Sequence, residues 1–205
     1  MAADRREHWE RAYRDRAADR VSWYAPRLDV SLRLIQEVAA PTSAVIDVGA
    51  GASTLVDDLL ALGYRDLTAL DIAEAGLNAA QTRLDERADS VRWLQADITR
   101  ATLPEGVYDL WHDRAVFHFL TDANDRRAYI DNLHRALKLG GHAIIATFAP
   151  DGPSSCSGLH VARYDLRSLG AELGEGFAAS DAHRALHTTP KGVQQAFSFH
   201  RFRRR

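Results

Sequence analysis

With 205 residues, 46% of them hydrophobic and 26% charged, the chain has an ordinary globular composition and enough length to bury a core without staples. A net charge of -2 gives no electrostatic reason to expect a nucleic-acid partner, and no apolar run approaches the roughly 20 residues that span a bilayer. The single cysteine, Cys156, excludes an internal disulfide, and the charged segment Met1 to Glu7 has no apolar centre of the secretory kind, so a reducing, cytoplasmic setting is expected.

In chain order, Glu7 to Arg16 reads as a short polar helix with Trp9 and Tyr13 four apart on one face. The segment Val21 to Pro26, which carries Trp23, interrupts it, and Leu28 to Ala39 has the periodicity of a second helix. Then comes alternation. Strands are expected at 44–48, 67–70, 91–95, 108–112 and 142–148, with helices at 54–62, 73–87 and 125–137 between them. Such alternation implies a parallel sheet covered on both faces. After a last helix at 165–173, a weak strand at 177–183 and a period-two run at 194–202 flank the turn-rich Thr188-Thr189-Pro190-Lys191-Gly192, so these two pair antiparallel.

The ends of the first three strands carry the chemistry. Val45 to Val48 runs into Gly49-Ala50-Gly51 and at once into a helix, an arrangement that seats a nucleotide-like ligand over a helix start. The glycines admit close backbone approach where a Cβ would collide with the ligand. The next strand ends at Asp71, placed to accept from a ribose hydroxyl pair, and the third runs out at Ala96-Asp97-Ile98. NAD is the rival ligand for this topology. It expects a third glycine where Ala52, Ser53 and Thr54 stand, and it leaves Asp97 without a task.

These motifs resemble those of the class I S-adenosylmethionine-dependent methyltransferases between Ala44 and about Phe148. The subgroup that includes the eukaryotic elongation-factor lysine methyltransferases is nearer still, through His8-Trp9-Glu10-Arg11-Ala12-Tyr13, Trp23 and a glycine motif closing on Ser53. The resemblance implies a seven-stranded Rossmann-like sheet, mostly parallel with an antiparallel C-terminal hairpin, in one domain. Residues 1–40 would be a helical lid, 41–150 the cofactor-binding core and 151–205 a substrate loop and the hairpin. It implies S-adenosylmethionine as cofactor, held by Trp9, Tyr13, Trp23, Asp47, Gly49, Gly51, Ser53, Asp71, Ile72, Asp97, Ile98, Asp113 and Arg114, and no metal. The chain departs from the pattern with Ala50 for a common cysteine, and with His112-Asp113-Arg114 for the acid-lysine-glycine of the lysine-modifying enzymes.

Other residues have a bland reading beside the functional one. Trp9, Tyr13 and Trp23 are either plain packing or an aromatic lid over the sulfonium, whose charge favours π-rich walls. Asp113 either holds the cofactor's ammonium or faces the acceptor; as a plain structural alternative, it forms a surface ion pair with Arg114. His112, His118 and His160 are candidate acceptor-side bases, with Tyr164 beside them, although a histidine near a site is more often structural. Cys156 reads as a passive buried thiol, and Arg201, Arg203, Arg204 and Arg205 as a solvated end. The expected reaction is SN2 methyl transfer to a small-molecule thiol, amine or similar acceptor, favoured by the near-neutral charge. A protein-lysine substrate is the alternative, and a non-catalytic cofactor-binding module is a third that the intact Gly49, Asp71 and Asp97 oppose.

Overall fold

The computed structural model describes residues 2–205; Met1, the first residue of the charged N-terminal segment, lies outside them. The centre of the molecule is β1 (Ala44–Val48), buried at every position. It is flanked in parallel by β2 (Asp66–Asp71) and β4 (Tyr108–Arg114), with β3 (Val91–Gln95) beyond β2 and β5 (Leu137–Phe148) beyond β4. β9 (Gln194–Arg204) runs antiparallel on β5, and β8 (Phe177–Thr188) closes that side, giving the order β3-β2-β1-β4-β5-β9-β8. The expected seven-stranded sheet with its antiparallel hairpin is therefore present.

Period two along β1 explains why both faces need cover. Val45 joins a cluster with Leu32 and Ile35 of α2 (Asp29–Val38), Leu55 and Leu59 of α3 (Leu55–Ala61), and Leu77 of α4 (Glu74–Leu84). Ile46 and Val48 face the opposite way, against Tyr129 and Leu133 of α5 (Ala123–Ala136) and Leu169 of α6 (Leu166–Leu173). Asp122 caps α5 by accepting from the N–H groups of Asn124 and Asp125. An Asp165–Ser168 capping box starts α6. The N-terminal helix α1 (Ala2–Arg14) lies outside these layers, across the start of α4.

Several boundaries differ from expectation. β5 begins at Leu137 because Gly140, at φ +77°, lets the turn before it continue as an irregular strand against β4. The segment Ser154 to His160 is not an open loop: β6 (Ser155–Cys156) and β7 (Leu159–His160) form a hairpin over Ser157 and Gly158, both at positive φ. The arginine-rich end is solvated at Arg203 and Arg205 but tied down at Arg201 and Arg204. Arg201 bonds Glu37 at 2.8 Å and also Asp181, while Arg204 donates to the Leu137 carbonyl. These cations fasten the hairpin to its neighbours.

β8 runs five residues past its expected end, to Thr188. The last residue of β5, Phe148, pairs with Phe197, and beyond it Ala196, Gln195 and Gln194 pair only with Leu186, His187 and Thr188. The hairpin therefore overhangs the carboxyl edge of the parallel strands by three residue pairs, roughly 10 Å at the usual rise of a strand. That overhang becomes a wall of the site.

Candidate active site

All the strand-end residues sit on one edge, where parallel sheets bind ligands. The turn after β1 is drawn back toward β2, since the Gly49 and Ala50 N–H groups both donate to the Leu70 carbonyl, at 2.7 and 3.0 Å. Gly49 and Gly51 adopt φ of +74° and +47°. A Cβ on Gly49 would stand 2.0 Å from Val116 Cγ2, and one on Gly51 would stand 2.0 Å from the Tyr13 hydroxyl. The glycines thus make room for protein groups that wall the ligand site, a reason the sequence does not display. Ser53 has a local task as well, its Oγ accepting from the Leu55 N–H at the start of α3.

Asp71 ends β2 with Oδ1 taking the Ala73 N–H at 2.8 Å. Burial, reinforced by the charges of Asp47 and Glu10 and opposed by the Ala73 and Gly51 N–H groups, pushes its carboxyl up to about 7. Asp97 is held by Thr99, whose N–H and hydroxyl both donate to Oδ1, at 2.9 and 2.8 Å. Its other oxygen, Oδ2, is buried with no hydrogen-bond partner among the described residues. Such an atom calls for a donor from a ligand.

Trp9, Tyr13, Trp23, Gly49, Asp71, Ile72, Asp97, Ile98 and Arg114 converge on one cleft with about 760 Å³ of space, part of it open to solvent. A second chamber of about 480 Å³ shares Tyr13, Trp23, Gly49 and Arg114 with it and adds Asp47 and Ser53. The aromatic groups form a connected wall. Trp9 meets Trp23 edge-on at 5.5 Å and Phe119 at 4.9 Å, and Tyr13 meets Trp23 at 5.7 Å. Polar clamps hold α1 there. The Glu10 carboxylate accepts the Glu74 and Ala75 N–H groups at the N-terminus of α4, at 2.6 and 3.2 Å, and Arg5 pairs with Asp125 and approaches Asp97 at 3.6 Å. Nothing in the sequence pattern singles out Glu10, Arg5 or Phe119. Only the tertiary position of α1 gives them these partners.

Four of the expected residues have other tasks. Asp113, fully buried, accepts from the Val116 N–H at 2.8 Å, the Phe117 N–H at 3.0 Å and the Tyr129 hydroxyl at 2.7 Å. It braces the turn after β4 and does not face the cleft. Burial lifts its carboxyl to about 6 against those donors. His118 is also fully buried, between the Phe119 and Phe148 rings, with Nδ1 taking the Phe148 N–H at 3.3 Å. Burial and the nearby Arg114 charge hold its pKa down at about 3, so it stays neutral. Tyr164 packs its ring on Phe117 in the core, and His160 lies exposed on β7. None of the four lines the cleft. His112 instead backs Asp47, its Nδ1 at 2.7 Å from Oδ1 while Nε2 meets the Ser31 hydroxyl at 2.9 Å. Cys156 does line the cleft, mostly buried, its thiol pushed up by burial.

The family described as "Methyltransferase domain" matches residues 45–141, from β1 into β5. Residues 45–141 thus read as a methyltransferase domain on a class I fold. The eEF1A lysine and N-terminal methyltransferase of Danio rerio is 26% identical over 148 residues, which is 71% of this chain and 21% of that protein. The chain thus spans about a fifth of the length of the curated relatives it matches. Among solved structures, the 1,6-didemethyltoxoflavin-N1-methyltransferase of Burkholderia thailandensis, with bound 1,6-didemethyltoxoflavin and S-adenosylhomocysteine, superposes with a TM-score of 0.77 at 22% identity. The alignment covers 99% of this chain and 88% of that one. A protein from work on the conversion of a disulfide bond into a thioacetal group during echinomycin biosynthesis gives 0.79 at 22%, covering 98% and 93%. At these identities the structures speak for the fold.

A methyltransferase domain of this kind takes its methyl group from S-adenosylmethionine, and the residues of this site fit that molecule. Asp71, Asp97 with its orphaned Oδ2, and the Trp9–Tyr13–Trp23 wall all line the cleft that would hold it. Among the described residues no helix is long and apolar enough to cross a membrane.

Proposed function

We propose that this methyltransferase domain acts on a small-molecule acceptor, a thiol, amine or similar nucleophile. The observation that carries this reading is a third chamber, of about 720 Å³, that meets the cofactor cleft at Arg114. It lies between the first turn of α2 and the β8–β9 overhang, with Ala185, Leu186, Phe197 and Phe199 as apolar walls. The chamber is partly open to solvent, and its size suits a compact ligand. S-adenosylmethionine supplies an activated methyl group on a sulfonium. The chain's own part is then to align the acceptor in line with that methyl, and to exclude water with the aromatic lid. The 1,6-didemethyltoxoflavin-N1-methyltransferase, whose structure holds a small bound substrate, shows that this fold can serve such an acceptor.

The second reading is a protein-lysine substrate, favoured by the names of the curated relatives. One assay separates the two. S-adenosylhomocysteine release is measured with panels of thiols, amines and carboxylates, and separately with protein extracts from which small molecules have been removed. Turnover confined to small molecules is expected. Methyl incorporation into protein alone would overturn the reading.

A further inference from the structure

Arg114 is the one residue shared by all three chambers. It leaves the end of β4 and donates from Nη1 to the Trp23 carbonyl at 2.9 Å, its one hydrogen bond among the described residues. A guanidinium carries five N–H donors in a planar fork, so most of this one is unspent. No carboxylate among the described residues lies within ion-pairing distance of it. The other arginine of the third chamber, Arg27, is neutralised by Asp29 at 2.8 Å and Asp58 at 3.6 Å. Arg114 thus makes no ion pair at the junction of the cofactor cleft and the proposed acceptor space, and Asp47, whose charge favours it, is itself engaged by His112. A half-buried charge in that state is costly unless a ligand supplies the anion.

Its direction is defined as well. The guanidinium carbon stands 4.9 Å from the centre of the Phe197 ring, and Phe197 lines the third chamber but neither of the other two. The fork thus reaches the acceptor side, while Nη1 stays on Trp23, which lines the other two chambers. Nearby, His187 meets the Ser22 carbonyl through Nε2 at 2.8 Å, so the hydrogen sits there and Nδ1 is left bare. Burial and Arg114 hold this ring below its ordinary value, so it brings no second charge.

We propose that Arg114 anchors an anionic group, a carboxylate on an acceptor with an apolar body, seated between the first turn of α2 and the β8–β9 overhang. The fork matches a carboxylate with two parallel N–H···O bonds. Leu186 and Phe199 take the apolar part of the molecule. The same cation repels a lysine ammonium arriving at this mouth. The inference rests on the small-molecule reading above and narrows its substrate class.

The test uses the whole chain saturated with S-adenosylhomocysteine, titrated by calorimetry with 3-phenylpropionate, 3-phenylpropionamide and 3-phenylpropylamine. These probes share a body and differ in charge. The acid should bind about tenfold or more tighter than the amide, and the amine more weakly than either. In Arg114→Gln the acid and amide should converge, and Arg114→Lys should restore part of the gap. Equal affinities in the wild type, or no binding of the acid, overturns the inference. So does an Arg114→Gln chain that keeps the acid's advantage but loses S-adenosylhomocysteine affinity, because the cation then serves the cofactor's own carboxylate. Failure of the wild type to bind S-adenosylhomocysteine at all would instead remove the methyltransferase reading beneath it.

Discussion

The hydroxyl of Tyr13 occupies the place a side chain on Gly51 would take, 2.0 Å from where its Cβ would stand. The ring also covers Gly76 at the first turn of α4, where a Cβ would stand 3.0 Å from Tyr13 Cε2. The lid and the glycine turn are therefore fitted to each other through one aromatic ring. Gly51→Ala should displace Tyr13 as well as strain a backbone at φ +47°, which alone costs roughly 1–2 kcal/mol. Cofactor affinity should fall by about tenfold or more, and Tyr13→Ala in the same chain should recover part of it. Calorimetry on the two single variants and the double gives the coupling. Additive losses would mean that the two residues act independently.

Glu10 fastens α1 by accepting N–H groups that α4 would otherwise leave open. Glu10→Ala removes a carboxylate at a helix N-terminus, an interaction of about 1 kcal/mol, and with it the tie between lid and core. S-adenosylhomocysteine should dissociate several-fold faster, with little change in unfolding of the sheet. Deleting the first twenty or so residues should cost much more affinity while circular dichroism keeps the strand signal. Stopped-flow tryptophan fluorescence suits the first measurement, since Trp9 and Trp23 sit in the wall.

How much of the fold and site is legible in the sequence depends on whether a residue's partner is near in the chain. β1, β2 and β3 announce themselves as apolar runs, and Asp71 and Asp97 stand at the ends the pattern marks. Asp113 has the same appearance at the end of β4, yet its task differs. Ala115 at φ +74° folds the next turn back so that the Val116 and Phe117 N–H groups reach it, and Tyr129 arrives from α5. No local pattern encodes that convergence. The hairpin overhang is hidden for another reason. Asp181 to His187 mixes alanines with charged residues and histidines on an edge strand, so its hydrophobic signal is weak although each of these residues pairs with β9.

Asp71 should give cofactor binding a distinctive pH profile. Its folded-state pKa, about 7, lies above the ordinary carboxylate value because the ionised form is buried near Asp47 and Glu10. A raised acid pKa makes the ligand-free fold bind more protons than the unfolded chain. The stability it contributes is full below about pH 4 and is lost as pH rises through 7. Binding runs the opposite way, since ribose hydroxyls need the ionised carboxylate as acceptor. S-adenosylhomocysteine affinity should rise by up to about tenfold per pH unit below 7 and level off above it, with proton release on binding. Asp71→Asn should bind weakly at every pH. A wild-type affinity flat between pH 5.5 and 8 would assign the ribose to another group.

Asp113→Asn separates a brace from a ligand. The amide replaces one acceptor oxygen with an NH₂ facing donors, leaving either the Val116 N–H, or the Phe117 N–H and the Tyr129 hydroxyl together, without their acceptor in the core. Stability should fall by about 2–4 kcal/mol, which for a chain of this size lowers Tm by several degrees. Below the melting range, S-adenosylhomocysteine affinity should change by less than about threefold, because Asp113 is not part of the cleft wall. A large affinity loss with an unchanged melt would return Asp113 to the cofactor.

The sequence points to His118, His160 and Tyr164 for the acceptor side, whereas the acceptor chamber proposed above lies at the overhang. Leu186 is 55% exposed and lines the third chamber, so it carries apolar surface but little of the core. Leu186→Ser should therefore leave the melt within about 0.5 kcal/mol of wild type and leave cofactor affinity alone. It should raise KM for the acceptor with kcat much less affected, the mark of an interaction that the ground and transition states share equally. His160→Ala should change neither constant, because β7 holds that side chain in solvent. His118→Ala should lower stability by leaving a void between Phe119 and Phe148, and its effect on turnover should follow the folded fraction. If His160→Ala slowed turnover while Leu186→Ser did not, the acceptor would enter by the β6–β7 hairpin and the overhang would be only a wall.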